Sequence, residues 1–254
     1  MVVGRVPQNR KARGMSADTI VVYGHDLVNE IIGRWSFAEL VYAAITDGSR
    51  PTTAQARLID VLLTTFVDHG VTPSSLAARL TFLGAPEAMQ AAVAAGLNGA
   101  GSRYLGTMQQ AAEMLRDAVL EHKVSRSDPR LSTIACEIVD AYRMAASPIP
   151  GLGHPEHKSG DPRTPALMRI ARETELAGVH CELLFALGEA YRQRSGKQLP
   201  VNAAGLAGAI VIDMGLPPEA AKGLALIGRA GGLVGVVLSE LRQPTAQQIW
   251  DGLR

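Results

Sequence analysis

Cysteine is scarce in this chain. The 254 residues contain two, Cys136 and Cys181. They lie far apart, and neither belongs to a Cys-x-x-Cys pair. That excludes a disulfide framework and predicts free thiols in a reducing, cytoplasmic setting. Aromatic residues make up only 4%, while hydrophobic residues as a whole reach 47%. A core built mainly from Ala and Leu favours close-packed helices, because these side chains lose little rotamer freedom in a helix. An excess of either charge is also missing, with 25 basic and 24 acidic residues and a net charge of +1. No basic stripe points to nucleic acid, and no imbalance points to an anionic membrane. The apolar stretches are broken by Gly, Asp or Arg, so no bilayer span is expected. Met1 to Gly14 is basic and polar with no apolar segment behind it, which does not read as a secretory signal. No repeat of fixed period is visible.

What is present is a succession of helical patterns. Residues 1–16 read as a flexible arm. Thr19 to Tyr23 suits a short extended segment, and Asp26 to Ile32 a helix. Ser36 followed by Glu39 is a capping-box pattern for a helix that Asp47-Gly48 ends. Leu58, Ile59, Leu62, Leu63, Phe66 and Val67 recur on one helical face. Further helices are expected from about Pro73, over 86–99, from Thr107, and over 131–145, 165–177 and 179–195. Residues 203–214 are so apolar that a fully buried helix is expected, and 219–242 should form another buried helix or a broken pair. Between the helices lies a loop of helix breakers, Ser147-Pro148-Ile149-Pro150-Gly151-Leu152-Gly153-His154-Pro155.

Three segments, in order, carry a family likeness. The first is Val67-Asp68-His69-Gly70-Val71-Thr72-Pro73-Ser74-Ser75, followed by Ala78-Arg79. The second is Pro150-Gly151-Leu152-Gly153-His154, followed by Lys158 and Asp161-Pro162-Arg163. The third is Ile227-Gly228-Arg229-Ala230-Gly231-Gly232-Leu233. Together they resemble the citrate synthase and citryl-CoA lyase superfamily over roughly residues 35–245. The short chain is most similar to the citryl-CoA lyase side of that superfamily.

The resemblance implies an all-α, two-lobed protomer: a large lobe from 17–107 and 209–254, and a small lobe from 108–208. It implies a homodimer or higher homo-oligomer, with coenzyme A or an acyl-CoA as substrate and no metal. Pro150, Gly151, Leu152, Gly153, Lys158 and Arg163 match the coenzyme-binding region. His154 matches a catalytic histidine acting on the hydroxyl or carbonyl oxygen of a keto acid; a neutral imidazole can donate there and move a proton near neutral pH. His69 and Arg229 match residues that bind the keto acid, and a guanidinium fork suits a carboxylate. Each has a bland alternative. His154 can be a plain loop histidine, His69 a histidine meeting a helix dipole, and Arg229 half of a structural ion pair.

Two positions depart from the family pattern. Tyr104 stands where the family has a histidine that stabilises an enolate oxygen, and its hydroxyl is also a donor. Ala204, within Val201-Asn202-Ala203-Ala204-Gly205, stands where the family has a proton-transferring aspartate. Glu156 is the first candidate for a replacement carboxylate and His157 the next. The functional expectation is a carbon–carbon lyase or synthase resembling citryl-CoA lyase. The alternatives are a relative acting on another acyl-CoA and 2-oxo acid, or a non-catalytic coenzyme A-binding homologue.

Overall fold

The computed structural model describes residues 19–101, 105–154, 157 and 159–253. The expected arm over 1–16 lies outside them. The chain divides into two compact units, one ending at Asp60 and one beginning at Val61.

The first unit opens with a two-residue hairpin, β1 (Val21–Val22) paired antiparallel with β2 (His25–Asp26). The helix expected next is a single wide π-turn, Leu27–Ile31, whose first amides are capped by the Asp26 carboxylate. Helix α1 (Phe37–Ile45) begins at the predicted capping box. The Glu39 amide donates to Ser36 Oγ at 3.2 Å, and the Ser36 amide donates to the Glu39 carboxylate at 2.8 Å. It stops at Asp47 and Gly48, both in left-handed conformations, φ 53° and 95°. Helix α2 (Thr53–Thr65) follows, and its chain passes into the second unit.

The second unit holds α3 (Pro73–Gly84), α4 (Met89–Asn98), α5 (Thr107–His122), α6 (Leu131–Met144), α7 (Arg163–Glu173), α8 (Val179–Ser195), α9 (Ala203–Asp213), α10 (Pro218–Glu240) and α11 (Thr245–Asp251). At its centre is α9, which packs against α5, α7, α8 and α10. From Gly205 to Ile212 every residue of α9 is buried, as its apolar sequence predicts. Gly208 lets α9 approach α5 so closely that a Cβ there would collide with the Met108 carbonyl.

Asp213, at the far end of α9, reaches across to the start of α8. Its carboxylate accepts the amides of Gly178 (2.7 Å), His180 (3.1 Å) and Cys181 (3.1 Å), and pairs with His180 Nδ1 at 2.7 Å. These amides are orphan donors of a helix N-terminus, so α8 is capped by a residue far along the chain. Burial pushes the Asp213 pKa up, but the bonds from His180 and Cys181 outweigh it and hold the carboxyl below its ordinary value. Both cysteines are free.

Of the two alternatives, a buried helix or a broken pair, α10 is one unbroken helix of 23 residues; contrary to expectation, only one face of it is buried. Gly228, Arg229, Gly232 and Leu233 face inward, while Val234, Leu238 and Leu241 are exposed. By length and apolarity alone α10 is long enough to cross a membrane, a test that the core helix of a soluble protein also passes. In this structure its inner face packs on α3, α4, α5 and α9. A buried pair between Arg79 and Glu240 ties α3 to the end of α10, and Glu240 also accepts the Ala246 amide at the start of α11, at 2.9 Å.

Candidate active site

A cavity of about 660 Å³ opens in the second unit. One wall is the helix-breaking loop that precedes α7. This loop lies directly on the N-terminus of α9, because Gly151 and Gly205 meet backbone to backbone. A Cβ on Gly151 would stand 2.9 Å from Gly205 Cα, and the left-handed φ of 89° at Gly151 already disfavours any side chain. Asn202, the N-cap of α9, holds the contact. Its Oδ1 accepts the Gly205 amide at 2.8 Å, its Nδ2 donates to the Gly153 carbonyl at 2.6 Å, and its own amide donates to Gly151 O at 3.0 Å.

The next corner is built by Asp161. Its carboxylate accepts from Arg163 Nε at 3.0 Å and Nη2 at 2.9 Å, and from the Ala203 amide at 2.9 Å. Burial alone would raise this carboxyl. The bonds from Arg163 and Ala203 overcome that and bring its pKa to about 2. Asp161 is therefore a permanently ionised clamp that orients Arg163, rather than a group that exchanges protons near neutral pH. The Arg163 guanidinium also lies 5.9 Å from the Phe66 ring centroid.

Three histidines converge here. His69 follows α2 on a turn shaped by Asp68, whose carboxylate accepts the His69 amide at 2.7 Å and the Gly70 amide at 3.2 Å. The His69 and His154 rings stack with centroids 5.6 Å apart. His157 lies 4.5 Å from His154, ring to ring, and its amide donates to His154 Nδ1 at 3.1 Å. Accepting at Nδ1 places the ring proton of a neutral His154 on Nε2. Burial is the main cause that pushes the His154 pKa below its ordinary value. Asp161 pulls the other way, and His157, Arg163 and His69 add to the depression.

Arg229 comes from the inner face of α10. Its side chain is only 8% exposed, and Asp68 is its carboxylate neighbour at 3.7 Å. Among the described residues its buried Nε has no hydrogen-bond partner. Burial pushes its pKa down against the pull of Asp68, with Arg163 adding to the depression, yet a guanidinium stays charged at any ordinary pH. A buried, charged, under-bonded guanidinium on a cavity wall is suited to an anion.

The structure thus brings His69, His154, Arg163, Arg229 and the Pro150–Gly153 loop around one cavity, with Ala204 also on its wall. Tyr104, Glu156 and Lys158 lie outside the described residues. Within the glycine loop the Leu152 amide donates to Ile149 O and the Gly153 amide to Pro200 O. The loop therefore presents a fixed surface rather than a row of unspent donors. Sequence reasoning missed the bridging role of Asn202, for which an N-cap pattern before Gly205 was the available signal.

Residues 15–250 match the family model for the citrate synthase C-terminal domain. The chain belongs to the citrate synthase family. Among solved structures it is similar to citryl-CoA lyase from Hydrogenobacter thermophilus, with 32% identity, a TM-score of 0.80, and coverage of 91% of this chain and 85% of that one. It shares its fold with ATP citrate lyase from Methanothrix soehngenii, solved in complex with citrate and coenzyme A, at 20% identity and a TM-score of 0.73, over 89% of this chain and 38% of that one. It likewise shares it with citrate synthase from Pyrobaculum aerophilum, at 23% identity and a TM-score of 0.60, over 81% and 49%. The chain spans less than half of these last two. No curated protein sequence matches it. This member of the citrate synthase family carries His69, His154, Arg229 and Ala204 on the wall of one cavity.

Proposed function

We propose that this member of the citrate synthase family is an acyl-CoA-dependent carbon–carbon lyase or synthase, converting citryl-CoA to acetyl-CoA and oxaloacetate or the reverse. The observation that carries the reading is the convergence of His69, His154 and Arg229 on one cavity with an arginine short of partners. Its similarity to a citryl-CoA lyase over most of both chains supports it.

The residues divide the work. Arg229 pairs with a carboxylate of the four-carbon acid, in charge-assisted hydrogen bonds. His69 hydrogen-bonds the same acid. In the direction of bond formation His154 directs its Nε2 proton at the carbonyl oxygen on C2 of the 2-oxo acid, where negative charge develops. Asp161 keeps Arg163 in place beside it, and Arg163 and Lys158 serve coenzyme A. Tyr104 donates to the thioester oxygen of the enolate, and Glu156 exchanges the proton on the acetyl carbon that an aspartate would handle.

Ala204 on the cavity wall favours a second reading. A methyl group cannot move a proton, so the protein acts on a different acyl-CoA and 2-oxo acid, or binds coenzyme A without turnover. We further propose a homo-oligomer, supported by the exposed apolar stripe Val234, Leu238 and Leu241 on α10.

The test is release of oxaloacetate and acetyl-CoA from citryl-CoA, with wild type beside His154→Ala. The variant should lose about 10²–10⁴-fold in rate. A wild type that binds coenzyme A but never cleaves citryl-CoA would leave the second reading. A wild type that binds no coenzyme A at millimolar concentration would end both.

A further inference from the structure

His157 joins His69 and His154 in one cluster, although the carbon–carbon chemistry uses only the latter two. One nitrogen from each imidazole lies within 4.8 Å of the other two. The third pair of rings, His69 and His157, is 6.5 Å apart by centroid. Two of the ligand atoms come from one loop at i and i+3, and the third from the turn after α2. All three side chains are half-buried, so solvent reaches them while the protein still fixes their approach.

Imidazole nitrogens are borderline donors, well matched to Zn²⁺, Co²⁺, Ni²⁺ or Cu²⁺ and poorly matched to Mg²⁺ or Ca²⁺. Zn–N bonds of about 2.0–2.1 Å in tetrahedral geometry put ligand nitrogens about 3.4 Å apart. From 4.8 Å as the widest separation, closing on an ion needs ring shifts on the order of 1 Å, within reach of side chains on a turn and a loop. Three histidines leave a fourth position open, as in open zinc sites. Two carboxylates stand nearby, Asp161 bound to Arg163 and Asp68 beside Arg229. Water or hydroxide from solvent completes the shell of an ion held by three imidazoles.

We propose that His69, His154 and His157 bind a borderline divalent cation, Zn²⁺ or a close analogue, and that the bound ion silences the site. The silencing follows from the hydrogen bond at His154. While Nδ1 accepts the His157 amide, Nε2 carries the proton. An ion bound at Nε2 takes the place of that proton and removes the donor aimed at the substrate oxygen. The binding half of the proposal stands without any assigned reaction, whereas the silencing half rests on the proposed function.

The experiment titrates chelator-treated, tag-free full chain with ZnCl₂ by calorimetry, and with CoCl₂ by visible absorption. Wild type should bind one ion per chain, and Co²⁺ should show the intense bands of a four-coordinate site. His157→Gln should weaken Zn²⁺ at least about tenfold, since even outer-shell losses cost 10–100-fold. His122→Gln, on a histidine outside the cluster, should bind as wild type. Unchanged circular dichroism melting shows that the variants fold, and His69→Gln provides a second ligand loss should His157→Gln not fold. No binding at 100 µM Zn²⁺, or equal affinity in His157→Gln and wild type, overturns the proposal. Where citryl-CoA cleavage is measurable, Zn²⁺ should suppress it and EDTA restore it. Cleavage indifferent to a bound ion overturns the silencing. Ion binding without any cleavage upholds the metal site while the functional reading fails.

Discussion

Replacing Arg229 with Met separates a residue kept for ligand from one kept for stability. The guanidinium is almost wholly buried, and its Nε makes no hydrogen bond. A buried unsatisfied donor costs about 1–3 kcal/mol. The opposing attraction comes from Asp68 at 3.7 Å, but that carboxylate is 57% exposed. Solvent screening at such exposure limits the pair to about 1 kcal/mol. Arg229→Met removes the charge and keeps most of the side-chain volume, so the folded protein should gain roughly 0–2 kcal/mol. For a chain of this size, each kcal/mol moves Tm by about 2–4 °C. Thermal unfolding should therefore show a midpoint equal to wild type or a few degrees above it. In the same assay with millimolar oxaloacetate or citrate, wild type should be stabilised and the variant should not. Truncating one partner of a desolvated charge pair costs about 2–5 kcal/mol of binding. A midpoint lowered by ten degrees, with the ligand-induced shift intact, would refute the reasoning and make Arg229 half of a structural pair with Asp68.

Three further outcomes follow from the same geometry. The Asp161 carboxyl is held near pKa 2 in the folded protein and lies near 3.9 when unfolded. Its contribution, about 2.6 kcal/mol, is fully present above about pH 5 and is lost progressively as pH falls through 2. Acid unfolding of Asp161→Asn should be correspondingly less steep in that window. Gly205→Val would drive side-chain atoms into the Gly151 backbone and should lower stability by about 1–3 kcal/mol, read from urea midpoints. Ala204→Asp places a carboxylate on the cavity wall and should raise deuterium exchange into acetyl-CoA, measured by mass spectrometry. No gain, together with loss of exchange in Glu156→Gln, would assign the proton to the loop instead.

What could be read in the sequence was local or motif-borne. The Ser36 and Glu39 capping box announces itself within four residues, and the structure forms it as written. The all-apolar run of α9 fits only a buried helix. His69, His154 and Arg229 have no neighbours in sequence that explain them, and only the likeness of three ordered motifs suggested that they meet. Where contacts are distant and carry no pattern, sequence reading fell short. Nothing near Cys181 foretells that Asp213 caps its helix. Nothing near His157 shows that it completes a trio with His69. Helix α10 was expected to be buried all round, and its composition did not show that Gly228 and Gly232 are points of close backbone approach on a single face.

Helix α9 also acts as a ruler. Asn202 at its start is tied to the glycine loop, and Asp213 at its end is tied to the amides that begin α8. The eleven residues of the helix fix the separation and the relative angle of these two ties. Adding or deleting one residue anywhere between them would shift one end by about 1.5 Å and turn it by about 100°. No such change could keep both ties at once. The segment can therefore exchange side chains, but it cannot change length.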